Sequence, residues 1–194
     1  MRRSWGLLIG RGPAPAFRPE PFPAAVARSD DDGVTFSEAG RVNPDDWVFD
    51  ACPHAGSALA VDARGHLHVA WYTGADRRPG IYTAMSADRG RSFGEAHGIL
   101  TGEWVPPWQV KLAALSNGRI AFTWDDRRSG SALTSIAYTN AAAGARSTAA
   151  ATFAGASPAI ASAGRTTVVA WLDGEAVSVR RIGHADGPNG RVSH

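Results

Sequence analysis

The sequence predicts an all-β chain of repeated antiparallel meanders, a partial β-propeller of a little over three four-stranded blades. Three observations carry that prediction. A short apolar strand ending in Trp recurs as Leu67 to Trp71, Ile120 to Trp124 and Val168 to Trp171, with 53 residues from Trp71 to Trp124 and 47 from Trp124 to Trp171. Each copy follows another short strand and a tight turn, at Asp62-Ala63-Arg64-Gly65, Asn117-Gly118 and Ala163-Gly164. Asn-Gly between two apolar runs is a strong hairpin signal, because both central positions need a positive φ. Third, Ser-x-Asp-x-Gly-x-(Ser/Thr)-aromatic occurs twice, at Ser29 to Phe36 and Ser86 to Phe93, 57 residues apart. Repeats of about 50 residues, each a set of short strands, have the size of a propeller blade.

The elements follow in order. Residues 1–21 form a Pro-rich irregular lead-in, since Pro13, Pro15, Pro19 and Pro21 deny it helix and central strand. Its apolar run from Trp5 to Gly10 is shorter than a secretory leader requires. A half blade is expected over 22–43, full blades over 57–101 and 110–154, a partial blade over 157–182 and a tail over 183–194. The Ala-rich stretch from Ala141 to Ala163 reads as helix by composition. Gly144, Gly155 and Pro158 interrupt it, and the blade register asks for a strand near 148–153 instead.

Composition sets limits on function. The 194 residues are 44% hydrophobic with a net charge of +2, and no apolar stretch is long enough to span a bilayer as a helix. Basic residues are scattered rather than clustered, so no nucleic-acid partner is expected. The lone cysteine, Cys52, excludes an intrachain disulfide.

The Ser-x-Asp-x-Gly motif has a physical reading as a turn closer. Ser29, Asp31 and Thr35, like Ser86, Asp88 and Ser92, offer oxygens to backbone N–H groups that the turn leaves free. Gly33 and Gly90 supply a positive φ, and Phe36 and Phe93 are expected to drop back between sheets. These octapeptides resemble the Asp-boxes, or BNR repeats, of the sialidase (neuraminidase) superfamily. The stretch from Cys52-Pro53-His54 to Trp71-Tyr72-Thr73-Gly74 is similar to bacterial sialidase-like proteins of that group. A third box is expected near Asn140 to Ser147, but Ala142 stands where Asp belongs.

The resemblance implies a sialidase-type propeller and a glycosidase ancestry, with a secreted or periplasmic location favoured. Sialidases hold the substrate carboxylate with an Arg cluster and use a Tyr nucleophile paired with Glu and an Asp acid/base, outside the usual two-carboxylate scheme. Tyr72, Asp125 and Arg127 are the residues of matching type. Phe17-Arg18-Pro19 lacks the Ile of the family's Arg motif and lies too near Ser29 for a preceding strand. The remaining catalytic Arg, Glu and Tyr belong to blades that this chain does not contain.

Meander geometry sorts the loops. Connections after strands two and four of a blade open on one face, and the Asp-boxes, after strand three, lie on the other. The first face gathers Asp50, His54, Tyr72, Arg77, Arg78, Glu103, Trp104, Trp108, Asp125, Asp126, Arg127 and Arg128. Aromatic faces stack on sugar C–H surfaces while charged groups take hydroxyls, so a glycan or other small ligand is the expected partner. Neither a metal nor a cofactor is expected: Cys52 and His54 are too few for a closed site, and Cys52 reads as a buried, inert thiol. His66 and His68 alternate with Leu67 and Val69, so they are expected to point away from that strand's apolar face, as bystanders.

The expected function is a glycan-binding propeller segment with an incomplete catalytic set. Alternatives are an exo-α-sialidase and a non-catalytic protein-interaction propeller. A little over three blades leaves sheet edges open, so further blades or a second chain are expected to complete the ring.

Overall fold

The computed structural model describes residues 5–6, 24–38, 40–44, 47–48, 56–75, 78–105, 107–140 and 148–182. Every regular element among them is a β-strand. Four antiparallel sheets follow one another along the chain. The first holds β1 (Trp5–Gly6), β2 (Ala25–Arg28) and β3 (Gly40–Arg41). The second is β4 (Ala58–Val61), β5 (Leu67–Thr73), β6 (Gly80–Ser86) and β7 (His97–Thr101). The third is β8 (Val110–Ala114), β9 (Arg119–Asp126), β10 (Leu133–Asn140) and β11 (Thr148–Ala154). The last has three strands, β12 (Ala156–Ala163), β13 (Thr166–Asp173) and β14 (Ala176–Ile182). Each sheet is a plain meander whose neighbours in sequence are neighbours in space. Trp5–Gly6 pairs with β2, so the Pro-rich lead-in contributes a short strand. From Thr148 onward the Ala-rich stretch is extended as β11 and β12, because Gly155 at φ 121° and Pro158 favour extended chain over helix.

Sheets pack face to face in chain order, with the first strands β4, β8 and β12 adjacent. That arrangement is a propeller, with the first strand of each blade innermost. Three apolar seams join the sheets. Leu67, Val69 and Trp71 meet Ala24, Val26 and Val42 of the first blade. Phe122, Trp124 and Val110 meet Ala70 and Ile81 of the second. Val169 and Trp171 meet Ile136 and Phe153 of the third, with the Phe153 and Trp171 rings stacked at 4.8 Å. The Trp that ends each repeat therefore seals the seam with the preceding blade. That role explains why a large apolar ring recurs at one position of the meander.

Two expectations need correction. β5 is buried along its whole length because sheets cover both of its faces. His68 points away from the face of Leu67, Val69 and Trp71, as alternation requires, yet it is buried and meets Asp62 rather than standing as a bystander. Phe93 is half-buried against the seam with the first blade, as the motif requires, but Phe36 is 45% exposed. Phe93 shows that a box aromatic turns toward the preceding blade, and no sheet precedes the first among the described residues. At the other end, Leu172, Val177 and Val179 are 45%, 67% and 64% exposed on the side of the last sheet turned away from the third.

Candidate functional site

The two Asp-boxes are nearly superimposable hydrogen-bond networks. Ser29 Oγ donates to Asp31 Oδ1 (2.8 Å) and accepts from Gly33 N (2.8 Å). Thr35 donates its N–H to Asp31 Oδ1 (2.9 Å) and its hydroxyl to Oδ2 (2.5 Å). In the second box, Ser86 donates to Asp88 Oδ1 at 2.8 Å and accepts from Gly90 N at 2.7 Å, while Ser92 gives Asp88 both donors at 2.9 and 2.6 Å. Asp32 and Gly33, like Arg89 and Gly90, have positive φ, which turns the chain tightly enough for this closure. The Thr35 hydroxyl and N–H, then the Ser29 hydroxyl, pull the Asp31 carboxyl down to about 2. Asp88 is held lower still by the matching donors. The side-chain oxygens of Ser29, Asp31 and Thr35, and of Ser86, Asp88 and Ser92, are all engaged in closing their turns.

The same end carries a third network. Asp62 accepts from the N–H groups of Arg64 and His66, both at 2.9 Å, and meets His66 Nδ1 at 3.1 Å and His68 Nε2 at 3.3 Å. Burial works to raise the Asp62 pKa, but the donors outweigh it and the net shift is downward. Burial lowers that of His68 against the pull of Asp62. The sequence signal for this cluster was Asp62 opening a Gly-closed turn, a position where carboxylates habitually cap N–H groups.

At the opposite end lie the connections β3–β4, β5–β6, β7–β8, β9–β10 and β13–β14. Antiparallel order puts them there, and direct contacts join several of them. Tyr72, at the end of β5, donates its hydroxyl to the Val105 carbonyl of the β7–β8 connection at 2.7 Å. Trp47 meets the Tyr72 ring edge to face at 5.4 Å and lies so close over Gly74 that a side chain there would clash. Tyr72 is buried, and burial pushes its pKa up. A nucleophilic phenol needs a lowered pKa and a neighbouring base. In this structure Tyr72 instead ties two connections together.

The β9–β10 hairpin ends in Asp125, Asp126, Arg127 and Arg128. Strand alternation sends successive side chains to opposite faces. Asp126 shares the face of Trp124, toward the second blade, and Asp125 shares that of Thr123, toward the last. Each acid takes the Arg two residues on. Arg128 forms a two-pronged pair with Asp126, Nε to Oδ1 at 2.9 Å and Nη2 to Oδ2 at 2.7 Å. This Arg128 pairing, opposed by burial, lowers the Asp126 pKa and raises that of Arg128. Arg127 approaches Asp125 at a looser 3.4 Å and lays its guanidinium over the Trp108 ring at 4.4 Å. Asp125 Oδ1 and Arg127 Nε are both buried without a hydrogen-bond partner. Trp104, on the same connection as Trp108, is 64% exposed; Glu103 beside it in sequence and Arg78 of the β5–β6 connection are also exposed.

The structure thus joins Trp108, Arg127 and Asp125 in one cluster and Tyr72, Trp47 and Val105 in another. Asp50, His54 and Arg77, like Cys52 and the decayed third box, lie outside the described residues. No group of three or more metal-ligating side chains forms among the described residues.

This fold is shared with solved structures. The α-L-arabinanase of Penicillium chrysogenum, complexed with arabinobiose, matches with a TM-score of 0.53 at 17% identity, over 81% of this chain and 52% of the arabinanase. A protein of unknown function from Dyadobacter fermentans matches at 0.55 and 16% identity, over 91% of this chain and 56% of that one. The chain has a β-propeller fold of the kind glycosidases use. It spans about half the length of these two proteins. A leech intramolecular trans-sialidase, complexed with 2,7-anhydro-Neu5Ac, aligns with a TM-score of 0.47 at 11% identity, over 76% of this chain and 24% of the enzyme. No family model matches the sequence, and no curated protein does.

Proposed function

We propose that this chain is a glycan-binding segment of a sialidase-like propeller, with an incomplete catalytic set. The observation that carries the reading is the Trp108–Arg127–Asp125 cluster on the end away from the Asp-boxes, with exposed Trp104 on the same connection as Trp108. Trp104 offers an exposed indole, and the paired Arg127 and Asp125 lie on the hairpin that Trp108 contacts: an apolar platform with polar groups on the neighbouring loop is the composition of a sugar site. Loops on a rigid scaffold are where such sites concentrate. The fold, shared with propeller glycosidases, agrees with this placement. The incomplete catalytic set fits Tyr72, whose hydroxyl is spent on the Val105 carbonyl.

The same proposal makes the chain one part of a larger ring. A following blade would cover Leu172, Val177 and Val179, as the third blade covers Trp171. Binding to an immobilised glycan array tests the function. Trp108→Ala should cut retention by about tenfold, the scale of one lost stacking contact. Unchanged binding by Trp104→Ala and Trp108→Ala, or no glycan bound by the parent chain, would overturn it.

A further inference from the structure

Propeller blades surround a central channel, and the first strand of each blade borders it. β8 is such a strand, lying against β4 on one side and β12 on the other. It begins at the loop end of the molecule, directly after Trp108 and Gln109. Its second residue, Lys111, is the chain's one lysine. Lys111 sits opposite Thr123, so it shares the sheet face that carries Asp125. Diagonal neighbours of this kind are ~7–8 Å apart. The ammonium therefore stands on the axial side of the Trp108–Arg127–Asp125 cluster.

Lys111 differs from the guanidiniums of the β9–β10 hairpin. Arg127 and Arg128 are tied to Asp125 and Asp126. Lys111 Nζ instead donates at 2.7 Å to the neutral side chain of Gln109, and it makes no ion pair among the described residues. An ammonium has three donors, and the Gln109 oxygen takes one. Lys111 is half-buried beside exposed Gln109, which leaves two donors for a ligand. Arg78 is exposed too, but its connection joins the second and third strands of its blade, farther from the axis.

A second, independent feature adjoins Lys111. Gly155 N donates to the Ala132 carbonyl beside β10, and β12 then passes β9 and β8. Ser157 lies at the start of that crossing, at the loop end, with its backbone held at φ 54°. A side chain in this left-handed region costs stability, and such strain persists where a site uses it. Ser157 is exposed, and its hydroxyl has no hydrogen-bond partner among the described residues.

We infer that Lys111 and Ser157 bind the sugar on the axial side of the cluster, the ammonium donating to sugar oxygens and the Ser157 hydroxyl sharing a hydrogen bond with a sugar hydroxyl. The inference rests on the glycan-binding reading above and extends that site from the loops toward the propeller axis.

The test is titration of the full chain and its variants with arabinobiose, lactose and 3′-sialyllactose. Lys111→Met keeps the aliphatic stem and removes the ammonium. Sugar affinity should fall about tenfold or more, with the melting midpoint unchanged. Arg165→Gln removes one positive charge at the exposed β12–β13 turn on the box end, and it should bind like the parent. Ser157→Gly removes the hydroxyl and relieves the strained φ. It should melt no lower than the parent while binding about three- to tenfold more weakly, a combination that a merely structural role would not give. Parent-like binding in Lys111→Met or Ser157→Gly, with binding lost in Trp108→Ala, would overturn the inference and leave the glycan-binding reading standing. Equal losses in Lys111→Met and Arg165→Gln would also overturn it, because net charge rather than contact would then set the affinity. If none of the three sugars binds, the inference and the glycan-binding reading both fall.

Discussion

Replacing Tyr72 by Phe separates two roles that the residue's chemistry allows. The ring is buried between Trp47 and the β7–β8 connection, and its hydroxyl reaches the Val105 carbonyl at 2.7 Å. Phe keeps the ring packing and removes only the donor. Val105 is itself buried, so its carbonyl would be left without that partner. Losing one side of a buried hydrogen bond costs about 1–3 kcal/mol. For a chain of this size each kcal/mol lowers the melting midpoint by ~2–4 °C, so a fall of about 2–12 °C is expected. Urea melts should show a lower midpoint with an unchanged slope, as for a change in stability alone. Glycan binding measured well below the melting range should be retained. A variant that melts like the parent but loses glycan binding would show that Tyr72 faces the ligand rather than holding the loops.

Further expectations follow from the same geometry. Phe122 is fully buried in the seam between the second and third blades, and Phe122→Ala should cost about 3–5 kcal/mol, read from urea midpoints. A side chain at Gly80 would collide with the Leu100 carbonyl, so Gly80→Ala should disrupt β6–β7 pairing and lower the melting midpoint, whereas Gly65→Asn in an open turn should be tolerated. His68 has a depressed pKa in the folded state, so its contribution is fully present above the unfolded value near 6.5 and is lost as pH falls through the folded one. Asp62, also depressed, loses its contribution only below the ordinary carboxylate range. Midpoints measured from pH 7.5 to 4.5, spanning roughly that His window, should therefore fall in the parent; in His68→Gln the fall should be smaller, with His66 left to meet Asp62. Val177→Lys with Val179→Lys should reduce binding of a hydrophobic dye; dye binding that does not change would mean this sheet face is already covered.

The fold was largely legible because its signals are local. Trp71, Trp124 and Trp171 mark the same strand in successive blades, and the box hydrogen bonds of Asp31 and Asp88 join residues within four positions of each other. The pairing of Asp125 with Arg127 and Asp126 with Arg128 was also present in strand alternation, once β9 is extended to Asp126. Long-range facts were not readable. Nothing in the sequence near Tyr72 points to Val105, 33 residues away, as its acceptor. His68 looked outward because alternation reports two faces of a strand but not whether a second sheet covers the other one. Phe36 and Phe93 occupy the same motif position and differ in exposure because only Phe93 has a described blade on the side it faces.

If sugars bind at the end of the propeller opposite its Asp-boxes, paired binding isotherms on one array will separate the two ends, with Trp108→Ala altering the loop end and Phe36→Ser altering an exposed residue of the box end. Glycan binding should fall by about tenfold or more in Trp108→Ala and stay parent-like in Phe36→Ser. Retained binding in Trp108→Ala together with loss in Phe36→Ser would place the ligand at the box end instead.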